Sequence, residues 1–311
     1  MFKQILVSLD GSARAEQALP VAARLAQVAN GTVTLVQVIH PPSKFMESVG
    51  AIVLPNILDE NVPTAEEYLE GAAKTSSLQG LRTATRVLTG HPAEAIIQEA
   101  IADKVDLVVM CSHGYTPVMR WSMGSIAAKV ARYAPSPVFI IHEGGALTTE
   151  GKAHSIRVLV ALDGSEYAES IIVPAAQLAW ALSAPARGEL HLTRVISTRG
   201  EEVRSFDEER ERTQQYLRSI GERLQHAPLT DAGVPLDLLI TWSVTMAEDA
   251  ASGIMQAAES RGTGEDAGQD EPCQVIAMAT HGIGGPQLWT MGSTAERVLQ
   301  VAQQPLLIVR R

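Results

Sequence analysis

Short apolar runs alternate with longer stretches of helical spacing, and the whole alternation occurs twice. In the first half, Ile5–Leu9 and Val33–Ile39 read as strands around an Ala-rich helix from about Ala13 to Val28. Arg86–Leu88 reads as a strand ahead of a helix at Ala93–Ile101, and Leu107–Met110 and Val138–Ile141 flank a helix that opens at Ser125. The second half repeats the order, with apolar runs at Val158–Leu162, Val275–Met278 and Leu306–Val309. Such alternation predicts βαβ units, a parallel sheet with helices on both faces, and right-handed crossovers. Pro41–Pro63 and the charged run Arg199–Arg212 depart from the pattern, and the charged run reads as a solvated helix face.

The halves also match in detail. Ile5-Leu6-Val7-Ser8-Leu9-Asp10-Gly11-Ser12 lines up with Val158-Leu159-Val160-Ala161-Leu162-Asp163-Gly164-Ser165, and Ala93-Glu94 with Ala247-Glu248. An acidic, glycine-rich insertion in the second half, Arg261 to Pro272, reads as a surface loop. The polar stretch from Gly144 to His154 has no periodicity. The expected organisation is a first domain over 1–145, a linker over 146–154 and a second domain over 155–311.

Composition narrows the class. The chain has 311 residues, enough for two domains, and is 46% hydrophobic with only 4% aromatics, an aliphatic core suited to helices on a parallel sheet. No apolar run reaches the roughly 18–20 residues that span a bilayer. The N-terminus runs straight into a strand without a separate leader, so a cytoplasmic location is expected. Two cysteines, Cys111 and Cys273, suit a reducing compartment and form no ligand pair. The formal net charge of −10 argues against a nucleic-acid partner.

One spacing carries the chemistry. Ser112-His113-Gly114 is followed after nine residues by Gly124-Ser125, and Thr280-His281-Gly282 after nine residues by Gly292-Ser293. Each loop leaves an apolar strand and enters a helix. Glycine lets the backbone approach a ligand, and a helix N-terminus offers free N–H groups to phosphate. The plainer reading makes each Gly-Ser a helix start with serine as the N-cap. Asp10 and Asp163 close the first strand of each half, where a carboxylate can meet a ribose hydroxyl or a phosphate-bound metal, or can simply close an Asx turn. Neither loop contains the Gly-Lys-Ser/Thr of a Walker loop, and Arg120 in the first loop has no counterpart in the second. His113 and His281 are the repeated titratable residues of the loops, while Cys111 gives way to Ala279 and so is no essential thiol. Valine at Gly124 and Gly292 is expected to remove a nucleotide with little loss of fold.

These motifs, with the closing Ala134-Pro135-Ser136-Pro137-Val138, resemble the universal stress protein family over essentially the whole chain, as two tandem domains. The resemblance implies an α/β fold of two tandem open five-stranded parallel sheets, order 3-2-1-4-5, with helices on both faces. It implies ATP together with Mg²⁺, phosphates wrapped by Gly114, Gly124 and Ser125 and by Gly282, Gly292 and Ser293, and Asp10 and Asp163 near ribose and phosphates. It places adenine on the backbone of Val38 and Val195, and puts Cys111 and Ala279 where the family's first motif glycine stands, beside His113 and His281. A stress-responsive regulator with slow or no hydrolysis follows. The alternatives are a scaffold of the same fold without nucleotide and a true ATPase. The apolar fifth strands, Val138–Ile141 and Leu306–Val309, are expected to pair as an intrachain pseudo-dimer or to serve a homodimer.

Overall fold

A computed structural model of the chain describes residues 1–40, 54–113, 123–142, 147, 155–199, 206–227, 229, 235–260, 272–281 and 291–310. The chain divides into two compact units, Phe2–Glu143 and Gly144–Arg311.

The first unit runs β1 (Gln4–Leu9), a 3₁₀ turn (Ala15–Gln17), α1 (Ala18–Ala29), β2 (Thr32–Ile39), α2 (Leu54–Ala73), β3 (Arg82–Thr89), α3 (Pro92–Ala102), β4 (Leu107–Cys111), α4 (Ser125–Tyr133) and β5 (Val138–Ile141). All pairings are parallel: β1 lies between β2 and β4, β3 flanks β2, and β5 flanks β4. The central strands read Ile5-Leu6-Val7 and Leu107-Val108-Val109 without polar interruption, because helices cover both faces. The unexpected tract 41–63 contributes its last part to α2, which contains Pro63.

The second unit repeats the plan with β6 (Arg157–Ala161), α5 (Glu166–Glu169), α6 (Ile172–Ser183), β7 (Gly188–Ser197), α7 (Phe206–His226), β8 (Leu238–Ala247), α8 (Ala250–Glu259), β9 (Val275–Ala279), α9 (Ser293–Val301) and β10 (Leu306–Val309). Here β6 lies between β7 and β9, with β8 and β10 outside them. The charged run largely enters α7, whose Asp207, Glu208, Arg210, Glu211 and Arg212 are exposed while Thr213, Leu217, Ile220 and Leu224 are buried at helical spacing.

In each unit the first and fourth strands lie side by side at the point where strand order reverses. Open α/β sheets form a ligand crevice there, outside the carboxyl ends of the strands. The sheet is stepped at that edge. β1 pairs with β2 as far as Leu9–Gln37, whereas β2 continues along β3 to Ile39. β6 pairs with β7 as far as Ala161–Thr193, whereas β7 continues along β8 to Ser197. Among the described residues no helix is long and apolar enough to cross a membrane.

Candidate functional site

The turn after the first strand is built the same way twice. Asp10 Oδ1 accepts from the Ser12 amide at 3.1 Å and the Ser12 hydroxyl at 2.6 Å, and Ser12 Oγ accepts from the Ala15 amide. Asp163 Oδ1 accepts from the Ser165 amide at 2.9 Å and hydroxyl at 2.7 Å, and Ser165 Oγ caps α5 through the Ala168 amide. The intervening Gly11 and Gly164 have φ of 85° and 91°, the left-handed region that favours glycine. The Asx-turn reading of these aspartates is therefore met, with Oδ1 committed to the turn.

The helix entry beyond the loop differs from the plain N-cap reading. Gly124 and Gly292, not the serines, are the N-caps of α4 and α9, and neither helix has a side-chain cap. Ser125 and Ser293 occupy the first helical position and are exposed, with the amides of the first turn lacking intrahelical acceptors. The glycines have their own structural cause. Gly124 N donates to Ser112 O at 2.9 Å, and a Cβ on Gly124 would lie 2.6 Å from that oxygen. Gly292 N donates to Thr280 O at 2.8 Å, and its Cβ would lie 3.1 Å away. Valine at Gly124 thus strains the strand-to-helix closure itself, which corrects the expectation of an intact fold.

Cys111, His113, Ala279 and His281 flank Ser112 and Thr280, the strand-end residues of this closure. Cys111, the last residue of β4, points its thiol at Arg14 O, 3.0 Å away, and burial pushes that thiol up to about 12. It is a structural tie and no nucleophile. Its counterpart Ala279 is buried at the end of β9. Ser112 Oγ lies 3.2 Å from His113 Nδ1, and Thr280 Oγ1 lies 2.9 Å from His281 Nδ1, so a hydroxyl orients each ring. Burial, then the neighbouring His113, pushes His142 down to about 4. Val38 and Val195 lie on the stretches of β2 and β7 that outrun β1 and β6. A Cβ on Gly253 of α8 would lie 2.5 Å from a Val195 methyl, so the Val195 side chain faces α8 and only its backbone faces the stepped edge. Gly114, Gly282 and Arg120 lie outside the described residues, as do most of the expected linker and of the 261–272 insertion.

Ion pairs fix the helices that carry these N-termini. Lys129 of α4 meets Glu94 of α3 at 2.8 Å, and Arg297 of α9 meets Asp249, the N-cap of α8, at 3.1 Å. The Lys129 hydrogen bond holds the Glu94 carboxyl below its usual range, and bonds from Ser252 do the same for Asp249.

One repeated pair was passed over in the sequence reading. Each Asp-Gly-Ser is followed after three residues by a glutamate, Glu16 or Glu169, and each carboxylate lies near a tyrosine of the helix after the second strand, Tyr68 or Tyr216. Tyr216 donates to Glu169 at 3.1 Å. Burial and then the Glu16 carboxylate push the Tyr68 phenol upward, and burial and then Glu169 do so for Tyr216. The doubled Asp-Gly-Ser-x3-Glu was the available signal.

Likeness to known proteins extends over both units. The model of the universal stress protein family matches residues 1–142 and again 156–310. The chain belongs to the universal stress protein family. One half is 34% identical over 142 residues to a universal stress protein of Thermus aquaticus, covering 45% of this chain and 99% of that one. A Bacillus subtilis universal stress protein is 27% identical over 147 residues, with 45% and 99% covered. Among solved structures, a universal stress protein of Archaeoglobus fulgidus matches with a TM-score of 0.65 at 19% identity, covering 99% of this chain and 98% of that one. At that identity the structural match speaks for the fold alone. The tandem, Rossmann-like architecture expected from the repeat is thus met.

Proposed function

We propose that this tandem universal stress protein is a regulator that binds an adenine nucleotide, ATP with Mg²⁺, in the crevice of each unit, with slow hydrolysis at most. The observation that carries the reading is the doubled helix entry: α4 and α9 begin against the end of each unit's fourth strand, through Gly124 N on Ser112 O and Gly292 N on Thr280 O, capped by glycine, with a serine hydroxyl at the first helical position and no side chain spent on capping. Such an N-terminus presents amides and the positive end of a dipole to phosphate. The donor set fits the group. Cys111 and Ala279 are small, and the backbones of Val38 and Val195 lie on the stepped edge for a base.

Among the described residues no group of three or more His, Cys, Asp or Glu gathers as a metal site. Magnesium would therefore lean on the phosphates, with Asp10 or Asp163 as the protein carboxylate. When bound, Mg²⁺ supplies neutralising charge to the phosphate oxygens. The chain's own residues orient: the Asx turns fix the carboxylates, and the paired hydroxyls fix His113 and His281.

The rival reading is a scaffold without nucleotide. It is favoured by one fact: Gly124 and Gly292 already have a reason to be glycine in their contact with Ser112 O and Thr280 O. Calorimetric titration of the full chain with Mg-ATP separates the two. Heat that saturates is the expected result, and no heat at millimolar nucleotide sinks the nucleotide reading in favour of the scaffold. A turnover above about one per second would instead make the protein an ATPase.

Association belongs to the same proposal. Each unit's own sheet closes on an apolar strand, β5 or β10, whose residues are buried throughout. We read these strands as the pairing edges of an intrachain pseudo-dimer. Charged residues at Val138 and Leu306 that leave the units associated in solution would refute the pairing.

A further inference from the structure

The two crevices carry different side chains at one matched position. Leu9 and Leu162 are equivalent in the repeat. Gln37 stands opposite Leu9, and Arg194 stands one step past the Ala161–Thr193 pair, opposite Leu162. Both side chains lie over the Asp-Gly-Ser turn. A Cβ on Gly11 would meet the Gln37 amide nitrogen at 3.7 Å, and a Cβ on Gly164 would meet Arg194 Nη1 at 3.2 Å. Gln37 Oε1 is buried without a hydrogen-bond partner. The Arg194 guanidinium also lies over the Tyr216 ring, whose centre is 5.8 Å from the guanidinium carbon.

Among the described residues no carboxylate forms an ion pair with Arg194. Glu169, which bonds Tyr216, is taken by Arg223 at 2.8 Å. The guanidinium thus has the turn and the Tyr216 ring as neighbours, and Glu169 orients Tyr216 while pairing with Arg223. A planar, always-charged fork held beside a carboxylate turn at a crevice mouth is suited to a phosphate or another anion. The first crevice offers a neutral amide in the same place.

From this we infer that Arg194 is a specificity-determining residue that makes the second crevice charge-selective. It favours nucleotides bearing phosphates over the bare nucleoside, while the first crevice discriminates less. The inference rests on the nucleotide reading above.

The test titrates the full chain with ATP and with adenosine in the presence of Mg²⁺. The unaltered chain is expected to show two ATP affinities about tenfold apart, the size of a charge-assisted contact to phosphate. The tighter one weakens as salt rises. Arg194→Gln is expected to merge the two at the weaker value and lower the ATP-to-adenosine affinity ratio about tenfold. Gln37→Arg is expected to merge them at the tighter value, and it carries the test independently of how the first variant folds. ATP isotherms that both variants leave unchanged overturn this inference and leave the nucleotide reading standing. Absence of any ATP isotherm in the unaltered chain overturns that reading, and this inference with it.

Discussion

The two units share one backbone plan but fill it differently, and the sheet face beneath α8 shows how far the difference goes. In the second unit Arg157, Glu189 and His191 are almost wholly buried there. Arg157 Nε lies 2.9 Å from Glu189 Oε1. Arg157 also donates to His191 Nδ1 at 3.1 Å, Thr241 donates to Glu189, and His191 Nε2 lies 2.9 Å from Ser243 Oγ. Arginine can only donate, so Nδ1 accepts and the ring is the neutral Nε2–H tautomer. The matched positions of the first unit are Gln4, Thr32 and Thr34, which bring no formal charge to that face. A duplicated fold therefore tolerates an ionic network in one copy and none in the other, provided that every buried charge is partnered.

Removing one partner of that network is the largest effect expected. Glu189→Ala leaves Arg157 buried without its counter-charge and should cost the second unit about 3–5 kcal/mol in denaturant unfolding. Thr32→Ala, at the matched place, should cost far less. Equal losses would mean that the network is no more than packing.

The helix closures come next. Gly124→Val meets Ser112 O where a Cβ would lie only 2.6 Å away, whereas Gly292→Val starts from 3.1 Å. The first should destabilise its unit by about 1–3 kcal/mol, as overpacking does, and the second by less. Thermal melts of the two single variants read the order directly, and the reverse order would show that the closures are not what the glycines serve.

Acid acts on both units through different histidines. Burial, then Arg157, pushes His191 down to about 3, and burial holds His142 at about 4. Each stays neutral when folded but takes a proton when unfolded below about pH 6.5. Stability is then full above pH 6.5 and falls as pH drops, until the folded state protonates in turn. At pH 5 the cost is about 2 kcal/mol for each histidine. Denaturation measured at pH 7 and pH 5 should show this loss, and His191→Gln should shrink its pH dependence by one proton's worth. A stability that does not change over that interval would place a charge on the folded rings.

The smallest effect belongs to the exposed anchor of α4. Lys129→Met breaks a solvent-facing pair with Glu94 and should leave the melting temperature nearly unchanged, in line with other surface ion pairs. A large drop would mark this pair as the true positioning element of α4.

Much of the fold was readable because its signals are local. Unbroken apolar strands such as Leu107–Met110 announce a sheet buried on both faces. The doubled Asp-Gly-Ser requires a turn that closes on its own side chain. The plainer reading of the helix starts, with serine as N-cap, fails for a physical reason: serine's preference for the N-cap is a local statistic, and it loses to the tertiary contact between Gly124 and Ser112 O. The buried Arg157–Glu189 pair was not legible because its members are 32 positions apart and meet only across the β6–β7 register. Arg194 was hidden in the same way. Its importance appears only when the register sets it over Gly164, with Tyr216 beside it.

The bond from Gly124 N to Ser112 O, and its twin from Gly292 N to Thr280 O, act as a drawstring at the base of each loop. The span from one knot to the other is the same length in both copies. Each fastening is made by main-chain atoms alone, so a side-chain replacement at either anchor can undo it only through added bulk at the glycine or through proline, which has no N–H to give.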